Sequence, residues 1–431
     1  MNTSVFVLLI SFACFLFMNV PIAICIALST LFTMLFTIAP QPAVTTIAQQ
    51  MATGINSFTL LAIPFFILSG LLMGRGGIAR RLINFAKALV GMFPGGLAYV
   101  NILACMFFGS ISGSSASATS AVGGFMLPIM EKEGYGKNFS TAITVTASTT
   151  GLLIPPSNIL IVYSLASGGI SIAALFIAGY LPGILVGLSL MAVAAIVSMI
   201  KKYPVGTRSS FGQVIKVFLD AMLSLLLVII VIGGIIAGIF TATEASAIAV
   251  IYAFLLSVVI YREVKLKELP EILLKSVEIT AIVMLLIGAS RGMSWILSYE
   301  NIPQGISETL IGLTASKFMI LLIINLILLA VGTFMDMTPA VLIFTPIFLP
   351  IAMELGMDPI HFGIIMVLNL CIGLCTPPVG SVLFLGCGIA KTTISKLIKP
   401  LLPLYIAMIL ALLLVTYIPE ISMVLPRLFG Y

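Results

Sequence analysis

Residues 109–124 read GSISGSSASATSAVGG, a run of small and hydroxyl-bearing residues with four glycines. The chain around it is 61% hydrophobic and 8% charged, with a mean hydropathy of +1.27. Apolar runs longer than about 18 residues recur along its whole length, the mark of a polytopic helical membrane protein. Nothing alternates with a period of two, which argues against a transmembrane barrel. The polar stretch is therefore an interruption between apolar segments, and it needs a physical reason.

Working outward, the apolar runs predict crossings at 4–19, 21–38, 58–74, 138–166 and 172–200, then at 214–240, 243–261, 271–299, 358–388 and 400–425. A mildly amphipathic stretch covers 42–57, and an interfacial helix covers 78–92. The stretches 97–130 and 318–353 are read as re-entrant hairpins. With the N-terminus outside, all of the 20 Lys and Arg except Arg291, Lys317 and Arg427 then face the inside. Reading either hairpin as a full crossing scrambles that pattern. Both termini are expected on the outer side. The basic residues set topology, so nucleic acid is not expected as a partner.

The chain also matches itself at a shift of 222 residues. Leu127-Pro128-Ile129 meets Leu349-Pro350-Ile351, and GLLIPP at Gly151–Pro156 meets GLCTPP at Gly373–Pro378. The first hairpin meets the second, and the topology makes the halves inverted. The expected fold is thus all-α, with two inverted repeats of five crossings plus one hairpin each. The first repeat covers 1–210, with leading helices 4–38, hairpin 97–130 and broken helix 138–166. The second covers 211–431, with leading helices 214–261, hairpin 318–353 and broken helix 358–388. Inverted repeats with discontinuous helices are a signature of secondary transporters.

Broken helix is tolerated at membrane depth only where it is buried in protein or lines a cavity. Pro155-Pro156 and Pro377-Pro378 each remove two N–H donors and free upstream carbonyls. Carbonyls at a half-helix C-terminus carry partial negative charge and suit Na⁺, whereas half-helix N-termini suit a carboxylate. The first tip, Ser112–Ser115, offers hydroxyls opposite the carbonyls of Thr149–Pro156. The second pairs Phe334–Thr338 with Gly373–Pro378. Asp336 is among the few acids at depth, and an intramembrane carboxylate points to function.

Other polar residues in the apolar runs are read more plainly. Glu244 and Arg291 are expected to pair or snorkel, or, for Arg291, to face a cavity and attract an acidic solute. His361 is read as interfacial. The six cysteines form no CxxC pair; Cys371 and Cys375, at i and i+4, are read as packing residues.

The hairpin GSISGSSASATSAVG, the GLLIPPS break, FTATEAS, GTFMDMTPA and LCTPPVG together resemble the large membrane subunit of TRAP transporters, the tripartite ATP-independent periplasmic transporters. The resemblance spans essentially the whole chain. It implies an elevator-type secondary transporter of the ion-transporter superfamily, driven by Na⁺ and placed in the bacterial inner membrane. It implies a small membrane (Q) subunit and a soluble periplasmic substrate-binding protein as partners, the lipid bilayer as surroundings, and an organic acid as cargo. Because no four-helix segment stands ahead of the first span, the small subunit is expected as a separate chain. One Na⁺ site is implied at Ser112, Ser114, Gly151, Ile154 and Pro156. The shift of 222 adds a second at Phe334, Asp336, Gly373, Thr376 and Pro378. Ser115, Asn158, Thr338 and Arg291 are the expected solute contacts. Sialic acid and C4-dicarboxylates are the familiar solutes, and overall resemblance leans to sialic acid.

Two alternatives bear on these residues. One is a stand-alone Na⁺-coupled carboxylate carrier that needs no binding protein. The other is an intramembrane hydrolase, but Gly109–Gly113 puts Ile111 where a GxSxG motif needs its serine. An enzyme is therefore not expected.

Overall fold

The computed structural model describes residues 3–206, 210–314 and 316–431. Arg208, counted above among the inside charges, lies outside them. The chain forms α1 (Thr3–Phe17), α2 (Ile22–Thr37), α3 (Pro40–Gly54), α4 (Ala62–Arg75, led by a 3₁₀ turn Phe58–Leu61) and α5 (Ile78–Val90). The first hairpin is α6 (Gly96–Ser112) and α7 (Ser115–Lys132), followed by α8 (Lys137–Thr150), α9 (Asn158–Ala166) and α10 (Ile172–Lys201). Then come α11 (Phe211–Ile236), α12 (Ala242–Phe254, continued as a π turn Leu255–Ile260), α13 (Leu269–Tyr299) and α14 (Ile302–Leu313). The second hairpin is α15 (Lys317–Phe334) and α16 (Met337–Glu354). The chain ends with α17 (Pro359–Leu374), α18 (Ser381–Ala390), α19 (Ile394–Tyr417) and α20 (Glu420–Leu428). Among the described residues, eight helical runs are long and apolar enough to cross a membrane.

Local chemistry explains the main boundaries. Asn19, at φ 59°, and Pro21 separate α1 from α2. Gly113, at φ 60°, ends α6, and Ser114 caps α7 by accepting from the Ser117 N–H at 3.3 Å. α5 buries Ile78, Leu82 and Ala86 along one face, the i, i+4 spacing of an amphipathic helix. Its polar side is tied across the chain: Arg80 meets Glu263 at 2.8 Å, and the Arg81 guanidinium lies 3.6 Å from the Tyr261 ring centroid. α8 is rich in Ser and Thr yet wholly buried from Phe139 to Thr150. Its hydroxyls donate to its own carbonyls, as Thr141 does to Lys137 at 2.8 Å and Thr146 to Ala142 at 2.9 Å. That satisfies each group without water.

Element boundaries recur at the 222-residue shift: α7 starts at Ser115 and ends at Lys132, and α16 starts at Met337 and ends at Glu354. Contacts exchange accordingly. α7 packs on α18 and α16 on α9; α8 packs on α19 and α17 on α10; α2 packs on α13 and α12 on α4. Cys371 Sγ donates to the carbonyl of Thr149, its counterpart 222 residues earlier, at 3.2 Å.

Three readings change. The run 400–425 breaks at Ile418-Pro419, and α20 folds back on α17 and α10. His361 is consequently buried at 1% exposure, with Nδ1 2.6 Å from Ser422 Oγ, rather than interfacial. Glu244 makes no ion pair among the described residues; it closes a capping box with Thr241, accepting from that residue's N–H at 2.8 Å.

Candidate functional site

Two glycine crossings set the site. A Cβ at Gly151 would lie 2.5 Å from Gly109 Cα, and a Cβ at Gly373 would lie 2.5 Å from Gly332 Cα. The end of α8 therefore touches α6, and the end of α17 touches α15, at backbone distance. These contacts carry each hairpin tip to the matching Pro-Pro break. The breaks themselves are held from behind. Gly179 of α10 admits the Leu153 carbonyl where any Cβ would clash, and Tyr405 of α19 donates its hydroxyl to the Cys375 carbonyl.

Both tips open into one cavity of about 350 Å³. Of the expected residues, Ser112, Ser114, Ser115, Asn158, Asp336 and Thr338 line it. Four helices begin there: α7 at Ser115, α9 at Asn158, α16 at Met337 and α18 at Ser381. Their N-termini give the cavity unpaired N–H groups and a positive potential that favours an anion. Four others, α6, α8, α15 and α17, end beside it, and their last carbonyls have the opposite sign.

The cation candidates lie behind the tips. The Ser112 hydroxyl donates to the Ser114 carbonyl at 3.3 Å, which brings these two together. Gly151 is buried at the α6 crossing, Ile154 packs on Gly183, and Pro156 is buried in the break. In the second half Gly373 is buried at the α15 crossing. The Thr376 hydroxyl donates to the Ile372 carbonyl at 2.7 Å, while the Phe334 side chain and Pro378 are exposed. Asp336 occupies the N-cap of α16 with no side-chain capping bond, and its carboxylate opens into the cavity.

Two outcomes were not legible from the sequence. Ser157 is 1% exposed, and its hydroxyl has no partner among the described residues. This buried hydroxyl stands directly beside the first break. The available signal was its place directly after Pro155-Pro156. Conversely, Arg291 does not reach the tips. It lines a separate cleft with Ser57, Ser290, Ser294, Leu342 and Pro346. The tip cavity meets α13 lower, at Ile279–Leu286, so the rise along the helix separates the two.

The sequence model of the family described as "Tripartite ATP-independent periplasmic transporter, DctM component" matches residues 9–421. An uncharacterised protein, YgiK, of Salmonella typhimurium strain LT2 is 57% identical over 99% of this chain and 98% of its own length. The C4-dicarboxylate TRAP transporter large permease protein DctM of Pseudomonas aeruginosa is 45% identical over 86% of this chain and 87% of its own. The crystal structure of the Alcanivorax borkumensis YdaH transporter matches with a TM-score of 0.63 over 87% of both chains; at 13% identity this is a likeness of fold. A multi-pass helical body, two meeting tips and this sequence match agree, and the chain belongs to the DctM family, the large permease component of tripartite ATP-independent periplasmic transporters.

Proposed function

We propose that the chain imports an organic acid by Na⁺ symport across the bacterial inner membrane. It works beside a small membrane subunit and takes the acid from a periplasmic binding protein, with both chain ends on the periplasmic side. The observation that carries this reading is the convergence of four helix N-termini and four helix C-termini on one cavity between two tips. The N-termini favour the carboxylate, and the C-terminal carbonyls with Ser112, Ser114, Ser157 and Asp336 are hard oxygen donors of the kind Na⁺ takes. One ion is held at Ser112, Ser114, Gly151, Ile154 and Pro156, the other at Phe334, Asp336, Gly373, Thr376 and Pro378. Ser115, Asn158 and Thr338 meet the solute. The 45% identity to a permease named for C4-dicarboxylates moves the preferred cargo from sialic acid to a C4-dicarboxylate.

Motion follows an elevator scheme over the two repeats 1–210 and 211–431. The hairpins and broken helices move as one body. The frame is α1, α2, α11 and α12 with the interfacial helices; α4 and α13 join it, because α4 packs on α12 and α13 on α2. The test is uptake of a labelled C4-dicarboxylate into proteoliposomes containing this chain, its small subunit and the binding protein. Accumulation that requires an inward Na⁺ gradient supports the reading, and uptake indifferent to Na⁺ removes it. Full uptake without the binding protein would favour the stand-alone carrier.

A further inference from the structure

The cleft that holds Arg291, about 290 Å³, sits between two sets of elements. Asn56, Ser57, Ser290, Arg291 and Ser294 come from the α3–α4 junction and α13. The opposite wall is the C-terminal end of α9 and the second hairpin arm at Leu342 and Pro346. Two features equip it for an anion, a cation and a free hydroxyl. Arg291 makes no ion pair among the described residues. Ser290, 3% exposed, has a hydroxyl without a partner. Among the described residues, no acidic side chain lines the cleft. Gly54 covers the arginine stem: a Cβ there would lie 2.7 Å from Arg291 Cβ.

Position along α13 adds the next step. The tip cavity meets this helix at Ile279, Ile282, Val283 and Leu286. From the middle of that set to Arg291 is about 13 Å at the helical rise of 1.5 Å per residue. On the hairpin side, Leu342 and Pro346 stand about 8–14 Å from the tip at Met337 by the same rise. The two ranges overlap. Tip one also lies toward the Arg75 end of α4, where a Cβ at Gly70 would meet the Ser112 carbonyl at 2.5 Å. The tips thus stand about midway along the frame helices, on the inner side of Arg291.

We infer that the frame side of this cleft, Arg291 with Ser290, is a second anion site, which takes a carboxylate of the solute on the outer side when the tips stand level with it and hands it to them. The inference rests on the transport reading above. An outward slide of about 13 Å brings Ser115 and Thr338 level with Arg291, so the arginine holds the carboxylate only while the moving body is raised. It strengthens capture from outside and leaves release inside unhindered.

The experiment measures half-saturating solute concentrations in both directions, in proteoliposomes carrying the small subunit. Uptake is run with excess binding protein outside, and efflux with solute loaded inside. Arg291→Gln is expected to raise the outside value at least tenfold and to change the inside value less than twofold. Arg291→Lys should recover part of the loss, and Ser290→Ala should raise the outside value about threefold, the effect of one neutral hydrogen bond. Equal shifts on both sides, no shift, or a shift only in the amount of binding protein required would each overturn the inference. Wild type that fails to transport at all defeats the transport reading itself. A variant that merely misfolds loses both directions together, and recovery by lysine on the outside value alone separates charge from folding.

Discussion

The two hairpin tips occupy equivalent positions but differ in chemistry. The first turns at Ser112-Gly113-Ser114, the second at Phe334-Met335-Asp336. Gly113 turns in the left-handed region, and a Cβ there would crowd the Asn158 amide at 3.1 Å. Met335 turns in extended backbone, and the counterpart of Asn158 is Gly380, whose N–H donates to the Thr333 carbonyl at 3.0 Å. Beside the first break stands Ser157 with its orphan hydroxyl, and beside the second stands Val379. The first tip therefore offers neutral hydroxyls, and the second a formal charge with fewer side-chain oxygens. The same backbone device tolerates two electrostatic solutions, because helix ends and break carbonyls supply most of the field in both.

If charge is the difference that matters, Asp336→Asn should have the largest effect. Removing a charged oxygen is expected to raise the Na⁺ half-saturation of uptake about a hundredfold, or ~2.7 kcal/mol. Ser114→Ala should cost less than tenfold. Equal, small effects in both would erase the contrast between the tips.

The glycine crossings should break alike. Gly151→Ala and Gly373→Ala each push a methyl into backbone at 2.5 Å, and each should cost about 1–3 kcal/mol of stability. Thermal unfolding in detergent measures this. A large loss in one and none in the other would show that the two crossings are not equivalent.

Ser157→Val, which copies Val379, sharpens the comparison from the other side. Filling the place of an orphan hydroxyl with an apolar group is nearly neutral for stability. Its loss as an ion ligand should still raise Na⁺ half-saturation about threefold to tenfold, roughly 1 kcal/mol. Unchanged Na⁺ dependence would leave Ser157 as packing.

The smallest effect is expected away from the tips. Glu244→Ala removes the capping box of α12 and should lower the unfolding temperature slightly while leaving Na⁺-dependent uptake unchanged. A loss of uptake in that variant would place function where only a helix cap is seen.

Much of the architecture was legible because its signals are local. Pro21, the Pro-Pro pairs and Gly113 act on the backbone within a few residues, so the breaks between α1 and α2, α6 and α7, and α8 and α9 fall where the chain says. The membrane character followed from long apolar runs, which need no partner to be recognised. The breaks inside apolar runs marked six of the expected solute and ion residues, those that share the tip cavity. Arg291, His361 and Ser157 were harder, since their environments are built by elements far away in sequence. α20 buries His361 from 61 residues downstream, and α3 covers Arg291 from the other half of the chain.

By itself the sequence determined that this is a helical membrane body with broken spans, and where the breaks at the two tips and the two Pro-Pro pairs lie, because proline, glycine and hydropathy act through the backbone and solvent nearby. Only the tertiary structure decided that both tips share one cavity, that Arg291 stands apart from it, and that Ser157 is left without a partner. Those outcomes depend on helices crossing at Gly109–Gly151 and Gly332–Gly373, and on counterparts 222 residues apart, Thr149 and Cys371, coming into contact. No local rule encodes which surfaces meet.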